Sequence, residues 1–207
     1  MILFRESLPR LTSRIRFLHA APDAPNIDIY ADGKLLHSNL PFGSITNYSE
    51  LSPEKYDVQL YKSGTYDNPI ISESIDVLPN SILTLNITYE NNEISFFTID
   101  DVEPKSNPLL SYVRFINLSP TAPLLSLSLP EGKVLFNEAE YLETNDYYPL
   151  SPGIYDFTVT AANGTLQKFI SDVNMTENLF ITIYIIGLIK GTPKLGYILT
   201  KDGLSKK

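Results

Sequence analysis

Apolar and polar residues alternate along most of the chain, and this period of two predicts β-strands. The first alternating run starts at Arg14 and places Ile15, Phe17 and His19 on one face. Pro22 and Pro25 follow it, and proline cannot donate to a strand ladder, so we expect this strand to end there. No window carries an apolar stripe of helical period and length.

Further strands are expected between turn residues that include Asp32-Gly33, Ser52-Pro53 and Asn91-Asn92. Strands at this spacing predict an all-β sandwich or barrel. The expected strands of this part of the chain are 27–31, 34–37, 45–51, 56–61, 70–78, 82–89 and 94–99.

The pattern then repeats, with landmarks returning about 98 or 99 residues later. Arg16-Phe17 returns as Arg114-Phe115, and Leu51-Ser52-Pro53 returns as Leu150-Ser151-Pro152. A repeat of this length is a domain rather than a solenoid unit, so we predict two tandem antiparallel β-sandwiches. The predicted segments are an N-terminal arm (1–13), a first sandwich (14–101), a linker (102–111), a second sandwich (112–203) and a tail (204–207).

One strand differs between the copies. Thr84, Asn86 and Thr88 are predicted to point outward into water in the first copy, whereas the second copy has Thr182, Tyr184 and Ile186. A strand that is apolar on both faces is covered on both. We therefore expect Tyr184 and Ile186 to pack against a loop of the same domain or against the other domain, or alternatively to form a self-association surface.

The N-terminal arm, which carries Phe4, has two interpretations. It either drapes over the protein surface or pairs as a strand with the sheet edge of a neighbouring molecule. Phe4 is therefore a candidate interface residue together with Tyr184 and Ile186. The second interpretation of the arm predicts self-association through the arm and the second-domain outer sheet.

Composition limits the classes of function. The chain has 207 residues, 43% of them hydrophobic, so a buried core is expected. Its net charge of −8 disfavours a nucleic-acid partner, and the absence of cysteine excludes disulfides and thiolate metal sites. No signal-peptide pattern or membrane-spanning apolar run is present. We expect a soluble protein that is cytoplasmic at synthesis.

His19, Asp23 and Asp28 form the best polar cluster in the sequence. They could serve as a metal site or as general acid and base. A structural role fits better, because His19 shares a strand face with Ile15 and Phe17, and an aspartate between prolines can cap backbone N–H groups. His37 stands alone and is expected to be exposed.

Other chemistry has weaker support. A Ca²⁺ site could use Asp28, Asp32, Asp100 and Asp101, but no calcium-loop pattern is present. Patterns for a serine nucleophile, a phosphate loop or a dinucleotide fold are also missing. We predict no cofactor and no enzyme activity, and we retain a hydrolase that uses His19 as an alternative.

Tyrosine is abundant, with 13 residues against no tryptophan. Tyrosine suits protein interfaces and stacking on sugars, although it is also ordinary in sandwich cores and corners. The tyrosines that could point outward are Tyr30, Tyr61, Tyr66, Tyr147, Tyr148 and Tyr184.

The run Arg-Phe-Leu-His-Ala-Ala-Pro-Asp-Ala-Pro at 16–25, with its continuation to Lys34, resembles the opening of the DUF4397 family. The corners Leu-Ser-Pro-x-x-Tyr at 51–56 and 150–155 are similar to a second family pattern. The second copy departs from the opening at Asn117, Thr121 and Ser126. The resemblance implies Ig-like or prealbumin-like sandwiches in a bacterial protein that is often surface-associated, and leaderless members would suggest a spore layer.

From these observations we predict a non-enzymatic structural or interaction protein, and self-assembly in a bacterial surface or spore layer is the more specific form of this prediction. The first alternative is a carbohydrate- or ligand-binding β-sandwich module, and the second is the hydrolase.

Overall fold

The computed structural model describes residues 12–101 and 107–203, and these residues form sixteen strands and no helix. The strands of the first half are β1 (Ser13–His19), β2 (Ile27–Ala31), β3 (Lys34–Leu40), β4 (Ser49–Leu51), β5 (Lys55–Lys62), β6 (Ile71–Asp76), β7 (Ile82–Glu90) and β8 (Glu93–Asp100). Those of the second half are β9 (Ser111–Asn117), β10 (Leu125–Ser128), β11 (Val134–Ala139), β12 (Tyr148–Leu150), β13 (Gly153–Ala161), β14 (Gln167–Met175), β15 (Phe180–Ile186) and β16 (Gly196–Lys201).

Each half consists of two four-stranded sheets. The first half has the orders β4-β1-β7-β8 and β3-β2-β5-β6, and the second half has the corresponding orders β12-β9-β15-β16 and β11-β10-β13-β14. The two halves thus share one topology, which confirms the predicted all-β fold of two tandem sandwiches.

One detail of the predicted antiparallel sheets is wrong. β1 pairs with β7 in parallel, and β9 pairs with β15 in the same way. The chain between each pair passes through the opposite sheet before returning, and such a long crossover is what parallel neighbours require.

The apolar core of each half lies between its two sheets. Ile15 and Phe17 of β1 are buried there against Ile29 of β2 and Leu60 of β5, as the alternation predicts. In the second half, Phe115 and Phe157 occupy the corresponding space. The strand pattern therefore positions one face of every sheet correctly.

Local turn signals are also confirmed. Asp32 and Gly33 both have positive φ (47° and 74°) and join β2 to β3 as a tight hairpin, a conformation that glycine adopts without steric cost. At the two corners, the Tyr56 hydroxyl donates to the Ser52 carbonyl at 3.1 Å and the Tyr155 hydroxyl to the Ser151 carbonyl at 2.8 Å.

The prediction for the outer face of β7 is wrong. Thr84, Asn86 and Thr88 are buried rather than exposed to water. The reason is that this sheet packs against the equivalent sheet of the second half, and a third apolar cluster fills the space between them. Its members are Leu18, Ala20, Ile99, Ile116, Leu118, Tyr184 and Ile186.

Tyr184 and Ile186 are therefore covered by the other half of the same chain, with 0% and 5% of their surface exposed. This is one of the arrangements that the sequence analysis considered. These two residues therefore have almost no exposed surface that a second molecule could contact. The structure does not place a self-association surface at this position.

Three predicted features fall partly or wholly outside the described residues. Phe4 and the arm up to residue 11 lie there, as do residues 102–106 of the predicted linker and the tail 204–207. Ser13, assigned to the arm from sequence, pairs with Leu51 as the first residue of β1. The part of the chain that the structure describes contains no helix that could span a membrane.

Candidate functional site

Two arginines at equivalent positions are buried between the halves. Arg16 of β1 and Arg114 of β9 are each 2% exposed and lie on the outer faces of their sheets. The parallel register places each arginine beside a threonine of the neighbouring strand. The Nε of Arg16 donates to Oγ1 of Thr84 at 2.7 Å, and the Nε of Arg114 donates to Oγ1 of Thr182 at 2.8 Å.

Two aspartates neutralise these arginines, and each follows the last strand of its half. The Nη2 of Arg16 donates to Oδ1 of Asp202 at 2.5 Å and to Oδ2 of Asp101 at 3.2 Å. The Nη2 of Arg114 donates to Oδ1 of Asp101 and lies 3.7 Å from Oδ2 of Asp202. Each guanidinium thus pairs with carboxylates of both halves.

Backbone carbonyls complete the contacts across the two halves. The Nη1 of Arg16 donates to the Lys201 carbonyl at 2.8 Å, and the Nη1 of Arg114 donates to the Asp100 carbonyl at 3.0 Å. The site therefore has an approximate two-fold relation that mirrors the duplication of the sequence. We call Arg16, Arg114, Asp101 and Asp202 the inter-domain charge cluster.

Two tyrosines close the cluster. The Tyr48 hydroxyl donates to Oδ2 of Asp101 at 2.8 Å, and the Tyr147 hydroxyl donates to Oδ2 of Asp202 at 2.9 Å. The ring centroids lie 4.4 Å and 4.6 Å from the guanidinium carbons of Arg16 and Arg114, in cation–π geometry. Burial and the neighbouring carboxylates raise the pKa of both tyrosines, so their hydroxyls stay protonated as donors.

The electrostatics of the cluster balance two positive against two negative charges. Burial alone would lower the pKa of Arg16, but Asp101 and Asp202 outweigh it and the arginine remains charged. Burial and the neighbouring Asp101 raise the pKa of Asp202, and the two arginines oppose this shift. Removing one partner of a buried ion pair typically lowers the free energy of unfolding of a protein by about 3–5 kcal/mol.

The predicted polar motif is not assembled into one site. His19 is fully buried, and its Nε2 lies 3.0 Å from the Pro25 carbonyl, which ties the end of β1 to the following loop. The Asp28 carboxylate accepts the backbone N–H groups of Asn39 at 2.7 Å and Gly64 at 2.9 Å. Asp23 is exposed in a turn with a φ of 65°. Among the described residues, no hydrogen bond joins these three side chains.

The second half uses related contacts at the equivalent positions. Ser126 replaces Asp28, and its hydroxyl accepts the N–H of Glu138 at 2.9 Å, as Asp28 accepts that of Asn39. Asn39 and Glu138 both have positive φ, 54° and 52°, at irregularities of the strand pairing. The shared task is to support a left-handed backbone residue, which a hydroxyl or a carboxylate can do.

Calcium ligands are also not gathered. Asp28 is occupied by backbone N–H groups, and Asp101 is occupied by the arginines. No group of three or more metal-ligating side chains occurs within residues 12–101 and 107–203. Burial alone would raise the pKa of Asp28, but the N–H donors of Gly64 and Asn39 hold it below its ordinary value.

A cavity of about 610 Å³ opens beside the charge cluster, with Arg16 and Asp202 among its lining residues. Tyr48 and Asn47 of the first half and Glu177 and Lys201 of the second half also line it. This volume lies within the range of small-molecule sites, which often occur at domain interfaces. Neither half forms the cavity alone.

Three tyrosines that were predicted to point outward meet on the other side of the first half. The ring centroids of Tyr30, Tyr61 and Tyr66 lie 4.6–5.4 Å apart, and Tyr66 is 52% exposed. The other three are placed differently: Tyr147 joins the charge cluster, Tyr148 packs against the second core, and Tyr184 is buried between the halves.

Sequence reasoning missed the charge cluster, although a signal for it exists. Arg16 and Arg114 recur at matched positions of strands that are otherwise mostly apolar, and Thr84 and Thr182 recur with them. A charged residue that duplication retains on both copies of a buried strand indicates a buried partner.

Comparison with protein families gives two matches to one family model, which is described as "Domain of unknown function (DUF4397)". The matches cover residues 13–128 and 111–207. No curated protein matches the chain.

Proposed function

The chain belongs to the DUF4397 family as two tandem copies, and from this premise we propose that it is a non-enzymatic structural or interaction protein, built as one rigid two-domain unit. A family of undefined function supplies a fold but no chemistry.

The observation that carries this proposal is the inter-domain charge cluster. Arg16 and Arg114 each bind carboxylates of both halves, and every one of the four charged groups is almost fully buried. A buried polar network with all its partners in place favours one arrangement of the elements that supply it. A fixed geometry between two domains is useful to a scaffold.

The contacts of the polar motif support a non-enzymatic role. The His19 ring is bonded to the Pro25 carbonyl, and the Asp28 carboxylate is bonded to two backbone N–H groups. General acid–base catalysis requires groups within reach of a substrate proton. These two side chains instead hold the chain that surrounds them.

Self-assembly in a bacterial surface or spore layer is the finer part of the proposal, and it rests on the family resemblance and on the N-terminal arm. Because Tyr184 and Ile186 are covered within the chain, self-association would have to use the arm or other exposed surfaces. Light scattering at rising concentration, on the full chain and on a variant without residues 1–11, tests this part. A strict monomer in both cases contradicts it.

A ligand-binding module, the alternative predicted from sequence, is compatible with the same rigid unit. The charge cluster uses one sheet of each half, and the other two sheets keep exposed side chains such as Leu35 and Phe169. The aromatic cluster of Tyr30, Tyr61 and Tyr66 favours this alternative for the first half.

Distance measurements between spin labels test the rigid unit. The chain has no cysteine, so Ser74→Cys in β6 and Phe169→Cys in β14 place one label on each half. We expect a single narrow distance distribution, which Asp202→Ala broadens. A broad distribution in the otherwise native chain would contradict a rigid unit, whatever the ligand-binding properties of the protein.

A further inference from the structure

Three tyrosines form an aromatic cluster on the side of the first half that faces away from the charge cluster. Tyr30 extends from β2, Tyr61 from β5 and Tyr66 from the following loop, and their ring centroids lie 4.6–5.4 Å apart. Tyr66 is 52% exposed, whereas Tyr61 is 5% exposed beneath it. We propose that this cluster is a binding surface for a neutral saccharide, with Tyr66 and Tyr30 as the stacking rings.

The second half lacks this surface although it shares the fold. Tyr61 lies opposite Asp28 in the strand register, and Thr160 lies opposite Ser126 at the matching place. Tyr30 lies opposite Gln59, whereas Ser128 lies opposite Thr158. The second half forms the same sheet with serine and threonine at these positions, so the sheet itself does not require the tyrosines.

Polar side chains continue from the rings along the same face of β5. The Tyr61 hydroxyl donates to Oε1 of Gln59 at 3.2 Å, and Nε2 of Gln59 donates to Oδ2 of Asp57 at 2.9 Å. Oδ1 of Asp57 accepts the hydroxyl of Ser72 at 2.7 Å. These hydrogen bonds already orient the side chains. Binding a ligand to them therefore costs less side-chain conformational entropy than binding it to side chains that move freely.

This combination of groups matches the two surfaces of a sugar. Its C–H face packs on an aromatic ring, and a tyrosine offers such a ring with little conformational entropy to lose. Its hydroxyl groups donate to carboxylate or amide oxygens and accept from amide N–H groups, and Asp57 and Gln59 provide both functions.

Charge and hydrogen bonding select among possible ligands. The Asp57 carboxylate at the centre of the network and the net charge of −8 disfavour an anionic saccharide. A proline-rich peptide also stacks on tyrosines, but prolines carry no N–H donor for the oxygens of Asp57 and Gln59. A neutral saccharide uses both the rings and the acceptors.

The inference deepens the ligand-binding alternative and is independent of the rigid arrangement of the halves. A glycan microarray that carries neutral and anionic oligosaccharides, with decaproline on the same surface, tests it on the full chain. We expect retention on neutral glycans, and the strongest of these is then titrated calorimetrically. Tyr66→Ser and Tyr30→Ser should each weaken its binding about tenfold or more.

Tyr197→Ser is the matched control, since Tyr197 is an exposed tyrosine of the second half (41%) and should leave binding unchanged. Tyr66 lies on an exposed loop, so its variant keeps the fold even if Tyr30→Ser perturbs β2. Three results would overturn the proposal: no retention on any neutral glycan, retention only on decaproline, or glycan binding that survives Tyr66→Ser. None of these affects the spin-label test of the rigid unit.

Discussion

Arg16 and Asp202 form a buried ion pair in which the Nη2 and Oδ1 atoms lie 2.5 Å apart, although the residues are separated by 186 positions in the chain. Arg16 belongs to the first strand of the first half, and Asp202 follows the last strand of the second half. The pair therefore joins the two halves directly. Its contribution to stability can be measured separately from that of either sandwich core.

We predict that Asp202→Ala lowers the free energy of unfolding by about 3–5 kcal/mol. The substitution leaves Arg16 with a weaker set of acceptors and removes an acceptor from Thr182 and Tyr147. An uncompensated charge in a buried site costs more than the lost attraction alone. Equilibrium unfolding in urea, monitored by far-ultraviolet circular dichroism, measures the difference.

Glu50→Ala provides the control for this measurement. Glu50 pairs with Arg14 at 3.5 Å, but its side chain is 65% exposed. An exposed ion pair contributes about 0–1 kcal/mol, so this variant should unfold close to the native midpoint. Equal losses in the two variants would show that burial of the Arg16–Asp202 pair has no special role.

The second prediction concerns the Tyr184 hydroxyl, which is buried at the interface without a hydrogen-bond partner among the described residues. A buried hydroxyl that has lost its hydration and gained no partner is destabilising, typically by about 1–3 kcal/mol. We therefore expect Tyr184→Phe to raise the free energy of unfolding by about 1 kcal/mol. Thermal unfolding followed by calorimetry detects a change of this size.

Tyr147→Phe is the matched variant, because the Tyr147 hydroxyl donates to Asp202 at 2.9 Å. Its removal should destabilise the protein by about 1–3 kcal/mol, since hydrogen bonds to charged groups are stronger than neutral ones. If both variants changed stability in the same direction, the unpartnered state of Tyr184 would be refuted.

Much of the fold follows from local pattern. The period of two identifies β1 and its neighbours because one face of each strand meets an apolar core. The Asp32-Gly33 pair predicts the hairpin turn because aspartate and glycine tolerate the positive φ that the turn requires. The outer face of β7 could not be predicted in this way. Thr84 and Asn86 are polar and yet buried, because a domain far away in the sequence covers them.

The candidate site shows the same division between local and distant information. The Asp28 carboxylate accepts N–H groups 11 and 36 positions away within its own half, whereas the sequence pattern predicted such a capping role for Asp23. The contact of Arg16 with Asp202 depends on how two complete sandwiches dock, and strand periodicity contains no information about docking. The matched recurrence of Arg16 and Arg114 was the available sign that these positions share a buried environment.

The third prediction is a pH dependence that comes from His19. Burial lowers its pKa below the ordinary value of 6.5, and the hydrogen bond with the Pro25 carbonyl opposes this only in part. In the window below pH 6.5 the unfolded chain binds more protons than the folded chain, so stability falls as the pH is lowered through it. Melting temperatures at several pH values between about 7.5 and 5.5 should show this loss.

His19→Asn should reduce that pH dependence, because asparagine does not titrate and the second half has Asn117 at the equivalent position. The native chain has two histidines, so His37→Asn is the matched control. A pH dependence that persists in His19→Asn and disappears in His37→Asn would assign the effect to the wrong histidine and refute the prediction.

The last prediction uses the chain as two separate pieces, residues 1–101 and 107–207. Their contact combines the apolar cluster around Leu18, Ile116 and Tyr184 with ion pairs between Arg16 and Asp202 and between Arg114 and Asp101. Because the residues that make these contacts all lie within the two pieces, the co-expressed pieces should assemble into a one-to-one complex, detected by light scattering after size-exclusion chromatography. Asp202→Ala should weaken this complex by about 100-fold or more, the equivalent of about 3 kcal/mol. Pieces that remain separate would mean that the linker, rather than the interface, holds the halves together.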